Sequence, residues 1–415
     1  MRLLSWSRSF LAASFLACAA FVSGCDDTGS NSENITDVNQ TDVERQSIGN
    51  CWLYATASWV ESMHLTATGE EFDISQSYWT YWHWYGEILT MSGDELETGG
   101  FESTAFEIIR ERGLMSEADF IKEDAVGEMS SRQSTALTKI QAELKTGRLA
   151  TASARTDRKL VRQVLDEAWG LTPEVRATLE KAFGVGKKTF KTNASNKGLP
   201  IIKAKDFKVQ YTERKSDPTK STVKNTTLKV AVDEWRTVSY PWSSSEQRKF
   251  QIRTQRALHD RQPVIITWSV DFNAMAGKES DKPGSFNLDT LKASGKPGRQ
   301  GGHMTVLEDY EAQTTDFGLL KAGVTLDPTI PEDKAKLDAA LLTSSKVVFW
   351  RIKNSWGALR DDRASAPGFP GYHDLYQTYL DGPIKWCPDA PDPKSAASCN
   401  GSEVPFSNVV LPPGY

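Results

Sequence analysis

The stretch RQSIGNCWLYATASW, residues 45–59, puts a cysteine directly in front of a tryptophan and a long apolar run. Trp52, Ala55, Trp59, Val60 and, a little further on, Met63 recur at the three-and-four spacing of one helical face, so a helix is expected to begin at or beside Cys51. Asn50 is a residue type that caps helix N-termini, which would set Cys51 in the first turn. Free backbone N–H groups and the helix dipole lower a thiol's pKa there. Cys51 then has three readings: buried filling, disulfide partner or nucleophile.

The rest of the chain narrows them. With 415 residues, 39% hydrophobic and 25% charged, and 13 tryptophans, the composition is that of a folded globular protein with room for a large core. A net charge of −5 gives no basic face for nucleic acid, and no nucleic-acid partner is expected. Residues 1–24 carry Arg2 and Arg8 before the apolar run FLAASFLACAAFV, the pattern of an export signal, with no later run able to span a membrane. The run ends in VSGC, residues 22–25, which resembles the lipobox of bacterial lipoproteins and would make Cys25 the lipid anchor. Residues 25–44 then form a lipidated cysteine and a polar, acidic tether, and the folded part is expected over 45–415, on a membrane-anchored lipoprotein of the bacterial cell envelope. Asp26, directly after Cys25, resembles an inner-membrane retention signal.

Cysteine counting follows. Cys18 leaves with the signal and Cys25 is acylated, so Cys51, Cys387 and Cys399 remain. The proline-rich segment between the last two makes Cys387 and Cys399 candidate disulfide partners in an exported chain, which would leave Cys51 alone.

Along the folded part, DISQSYWTYWHWYGEIL, residues 73–89, predicts an aromatic-rich helix used for core packing. The turn ETGGF then leads to a helix stopping at Gly113. Residues 121–200 read as a helical insertion, and 203–229 as β-prone sequence with a solvated basic face. After residue 250, PVIITWSVDF, HMTVLEDY and KVVFWRIKNSW predict strands. Helices first and strands last argue for an α+β protein with a helical part facing a sheet. The tail VPFSNVVLPPGY is read as packing on the surface.

A thiol enzyme for acyl transfer needs an imidazole, a group that orients it and a donor for the oxyanion. Among His64, His83, His259, His303 and His373, only His303 follows a glycine pair and opens a strand. Asn354 lies in WRIKNSWG, residues 350–357. Together NCW, GGHMTV and KNSWG, in that order, closely resemble the papain-like cysteine peptidases. FDISQSYWTYWHW followed by ETGGF looks most like their bleomycin hydrolase and aminopeptidase C branch.

The resemblance implies a papain-like fold, with a central helix starting at the nucleophile and facing an antiparallel sheet or barrel. It makes Cys51 the nucleophile, His303 the general base and acid, Asn354 the orienter of the imidazole, and Gln46 the oxyanion donor with the Cys51 backbone N–H. Trp356 would shield the His–Asn bond from water, and Gly99 and Gly100 would pair with a substrate strand. It implies a resting thiolate–imidazolium pair, peptide or protein substrates, and no cofactor or metal. One departure stands out: Gln46 is five residues before Cys51, where the family has six. The short stretch from Cys25 to Gln46 is also too brief for a long inhibitory propeptide. Two other outcomes stay open at this level: an acyl or peptidyl transferase using the same Cys-His-Asn set, and a silent peptide-binding lipoprotein. Exo- or endopeptidase action and oligomeric state are not legible.

Overall fold

The computed structural model describes residues 38–184, 198–214, 220–324, 326–358, 360–387 and 401–415. The expected signal, Cys25 and its tether, and Cys399 lie outside these residues. The helical half opens with α1 (Cys51–Thr68), α2 (Gln76–Thr90), α3 (Glu102–Arg112) and the single turn α4 (Glu117–Phe120). It continues through α5 (Arg132–Lys145), α6 (Ala152–Thr156), α7 (Arg158–Ala168) and α8 (Pro173–Phe183). A hairpin of β1 (Lys208–Glu213) and β2 (Thr222–Thr227) and the short helix α9 (Leu228–Glu234) lead into the sheet half. There follow β3 (Arg236–Ser239), α10 (Ser244–His259), β4 (Val264–Asp271), β5 (Ser285–Phe286), α11 (Leu288–Ser294), β6 (Gln300–Gln313) and β7 (Leu319–Leu320). Then come α12 (Pro331–Ala340), β8 (Lys346–Lys353), β9 (Tyr372–Tyr376), α13 (Gln377–Leu380), β10 (Ile384–Trp386), β11 (Gly401–Glu403) and β12 (Phe406–Leu411). This is the α+β arrangement expected from the sequence, with the helix that starts at Cys51 packed against an antiparallel sheet.

Helix boundaries follow local chemistry. Gly69, at φ 74°, ends α1 in the left-handed region that glycine enters without penalty. Ser75 caps α2 by accepting from the Tyr78 N–H, and Gly113 stops α3 at φ 71°. Asn50 does not cap α1 with its side chain. It is buried, and its amide donates to Thr80 Oγ1 and Gln133 Oε1, each at 3.1 Å, tying the start of α1 to α2 and α5.

The main sheet runs β3-β12-β4-β6-β8-β9-β5, with β7 added to β6; its pairs are antiparallel except β5 with β9. Its strands alternate between two cores, as a period of two requires. Ile265, Met304, Val306 and Val410 join the helical core around Trp59 and Trp79, whereas Ile266, Trp268, Leu307 and Val409 join a second core. Each sheet face is thereby covered. The aromatic run of α2 packs inside the helical core as expected: Trp79, Tyr81 and Trp84 are fully buried.

Two expectations are corrected. The tail does not pack on the surface: Phe406–Leu411 lies inside the sheet between β3 and β4, with Phe406, Val409, Val410 and Leu411 buried. Its two adjoining valines face opposite cores, so no one-sided pattern marked it as a strand. The basic stretch after residue 203 is only half solvated, because Val209 and Tyr211 of β1 pack beneath α1.

Candidate active site

Cys51 is the first residue of α1 and is partly exposed. The backbone N–H groups of Met304, Trp52 and Cys51 itself approach its sulfur and favour the thiolate, yet burial outweighs them and pushes the thiol up to about 11. Met304 is the residue after His303, so the pairing of α1 with β6 brings the imidazole segment to the thiol. Across the sheet His303 stands opposite Trp268 in register, with the rings edge to face at 5.6 Å.

The imidazole is held from several sides. His303 Nε2 bonds Asn354 Oδ1 at 2.8 Å, so Nδ1 is the nitrogen left for a thiol proton. Trp356 stacks on the His303 ring at 4.8 Å with planes 18° apart, and the Arg363 guanidinium sits 4.4 Å from the Trp356 ring centre. Burial and, in smaller part, the Arg363 charge pull His303 down to about 4, against the Asn354 bond that raises it. Both shifts run against the resting thiolate–imidazolium pair that the resemblance implies, and favour the neutral thiol and imidazole. The dipole acts on Cys51, but desolvation of both groups is the larger effect.

Asn354 follows β8 and is itself oriented: Oδ1 also accepts the Ser355 N–H at 2.8 Å, and Nδ2 meets His373 Nδ1 at 3.3 Å. Gln46 is clamped next to this turn. Its Oε1 accepts from the Ser355 hydroxyl at 2.6 Å and its Nε2 donates to the Ile48 carbonyl at 2.7 Å, leaving one N–H of Nε2 uncommitted.

The glycine pair sits beside the start of α1. The Trp52 indole N–H donates to the Thr98 carbonyl at 3.0 Å, and a Cβ on Gly100 would fall 2.5 Å from the Trp52 ring, whereas one on Gly99 meets nothing. Gly100 is thus required by packing on the neighbour of Cys51, and Gly99 is exposed. Cys387 is disulfide-bonded and Cys51 is a free thiol, while the other expected partner, Cys399, lies outside the described residues.

Sequence reasoning missed His373, Trp268 and Arg363, which have no motif of their own and reach the site only through sheet register or ring stacking. Ser355 was within reach, lying inside the NSWG motif.

No protein-family profile matches the chain, and no curated protein sequence matches it. Among solved structures the chain is similar to the bromelain protease from Ananas comosus in complex with the E64 inhibitor, at 14% identity over 90% of this chain and 94% of that one, with a TM-score of 0.32. It is also similar to xylellain, a cysteine protease from Xylella fastidiosa, at 12% identity over 92% and 85%, TM-score 0.34. A Carica candamarcensis cysteine protease in complex with E-64 gives 13%, 90% and 93%, with TM-score 0.30. At these scores the likeness carries no weight of its own, and the chemistry rests on the residues of this chain.

Proposed function

We propose that the chain is a cysteine peptidase that hydrolyses peptide bonds through a thioester on Cys51. The observation that carries the reading is the 2.8 Å bond from His303 Nε2 to Asn354 Oδ1 on the strand whose next amide, that of Met304, approaches the Cys51 sulfur. As the sulfur attacks the peptide carbonyl carbon, the thiol proton passes to His303 Nδ1 and the carbonyl electrons move to oxygen. The Cys51 N–H and the remaining Gln46 N–H are the donors for that oxyanion. When the C–N bond breaks, His303 returns the proton to the leaving amine. A water then attacks the thioester with His303 again as base, releasing the acid and restoring the thiol.

The finer placement beside bleomycin hydrolase and aminopeptidase C is supported by the order of the aromatic helix, the Gly99-Gly100 turn and the helix ending at Gly113. Membrane anchoring through Cys25 is supported by VSGC and the polar tether, and loss of fatty-acid labelling in Cys25→Ala tests it. The activity is tested by digesting a library of N-blocked and free peptides, with and without an added amine acceptor. Hydrolysis that disappears in Cys51→Ala is expected. Unchanged hydrolysis in that variant overturns the assignment, and capture of the acyl group by the amine in place of water redirects it to a transferase.

A further inference from the structure

Between the helical half and the sheet half lies a cavity of about 780 Å³, away from the Cys51 helix start, and its wall is strongly acidic. Glu44 of the N-terminal segment, Asp73 of the loop into α2 and Glu117 at the start of α4 each offer a carboxylate oxygen, all within 4.8 Å of one another. Two oxygens on opposite sides of one Ca²⁺ stand about 4.8 Å apart, given Ca–O distances near 2.4 Å. Three carboxylates from three separate segments thus converge on the span of a single ion.

Two carboxyl groups, Glu117 of the trio and Asp124 beside it, show that the wall is short of positive partners. Glu117 is only 8% exposed and lines the cavity, and neither a hydrogen-bond donor nor a cation among the described residues serves its carboxylate. Asp124, outside the trio, is 2% exposed and lines the same cavity. Its Oδ2 accepts from Ser77 at 2.8 Å, while Oδ1 is buried with no partner. Leaving a buried carboxylate oxygen unpaired is costly.

The nearby cation, Lys353, is shared between Glu61 and Glu44, and Gln76 Nε2 donates to Glu44 Oε2. Lys353 Nζ donates to Thr41 Oγ1 at 2.9 Å, and Thr41 donates on to Glu61 Oε2 at 2.6 Å, with Glu61 Oε1 taking the Ile74 N–H at 3.0 Å. Arg132, on the Asp124 side, pairs with Glu123 at 2.9 Å.

We propose that Glu44, Asp73 and Glu117 hold a divalent, oxygen-seeking cation, Ca²⁺ by the size of the site and the chemistry of its ligands. The trio has no thiolate or imidazole for zinc. An open cavity with room for several waters suits the six to eight ligands of Ca²⁺ better than the compact octahedron of Mg²⁺. The ion would fasten the helical half to the segment that carries Gln46, because Glu44 is two residues before it and the Glu44 carbonyl accepts the Gly357 N–H at 3.1 Å. Binding itself does not depend on the peptidase reading.

The test uses the whole folded chain, freed of metal with a chelator and titrated with CaCl₂ by calorimetry and thermal unfolding, with MgCl₂ in parallel. One Ca²⁺ per chain and a higher Tm are expected, with Mg²⁺ binding more weakly. Glu117→Gln and, independently, Asp73→Asn at the exposed rim should each weaken Ca²⁺ at least tenfold, while Glu107→Gln on the outer face of α3 leaves it unchanged. No heat and no Tm shift up to about 10 mM, roughly ten times the weakest range for such sites, overturns the proposal. Parent-like binding by both variants does so equally.

Discussion

Ser355 and Gln46 are joined twice: the Ser355 hydroxyl donates to Gln46 Oε1 at 2.6 Å, and the Gln46 N–H donates to the Ser355 carbonyl at 3.0 Å. The residue after Asn354 therefore sets the position of the glutamine whose spacing to Cys51 is one short. Loss of the donor should cost more than loss of the clamp. Gln46→Ala is expected to lower kcat about 10²-fold with KM little changed, because an oxyanion donor acts mainly in the transition state. Ser355→Ala should lower it by about tenfold, since Gln46 keeps its Ile48 bond and is only loosened. Steady-state kinetics on one blocked peptide separates the two.

The pair His303 and Asn354 leads to a graded series. Asn354→Ala removes the partner of Nε2 and should cost about 10²-fold in kcat, the low end for a misdirected general base. His373 meets the far side of the Asn354 amide at 3.3 Å and packs edge-on to Trp356 at 5.2 Å. His373→Ala should cost about tenfold as a positioning effect, and His373→Gln, which keeps an acceptor, should recover part of it. A fall in KM alone, with kcat unchanged, would contradict this ordering.

Burial holds the Cys51 thiol at about 11 and the His303 imidazole at about 4. Both groups are neutral between those values, so the thiolate population grows only as pH rises toward 11. Alkylation of Cys51 by iodoacetamide should therefore climb about tenfold per pH unit from 7 to 10, the thiolate being the reacting species. A flat rate beginning near pH 5 would mean that the ion pair forms after all. Peptide hydrolysis needs neutral His303 and should rise as pH rises through about 4. The Arg363 charge lowers the imidazole pKa, so Arg363→Ala should move this acid limb to higher pH.

Gly99 and Gly100 are adjacent yet should respond differently. A Cβ at Gly100 would strike the Trp52 ring at 2.5 Å, and that ring is buried and tied to Thr98. Gly100→Ala should destabilise the fold by about 1–3 kcal/mol, the usual cost of overpacking, measured by urea unfolding. Gly99→Ala meets open space, so stability should hold, and any effect should appear as a raised KM where the backbone meets a substrate strand.

The sequence by itself determined the parts that lie on one element: the helix beginning at Cys51, the strand opening at His303, the Asn354 turn, and the α+β order. Periodicity and short motifs record which residues share a face, and that is enough to place these three side chains on their elements. Only the tertiary structure decided what surrounds them. Asn50 looked like a cap, but its Nδ2 donates to Thr80 and Gln133 of distant helices, and its Oδ1 takes no N–H of α1. Cys51 looked like a thiolate from its helix position. Burial raises the Cys51 thiol against the amides at the helix start, and burial, with Trp356 stacked on the ring, lowers the His303 imidazole. The valines of the tail disguised a central strand because both faces of this sheet are buried. His373 and the acidic wall of Glu44, Asp73 and Glu117 had no local signature, since their proximity is made by chain segments far apart in sequence. Charge, burial and hydrogen bonding are properties of neighbours in space, and those neighbours exist only once the two halves have packed.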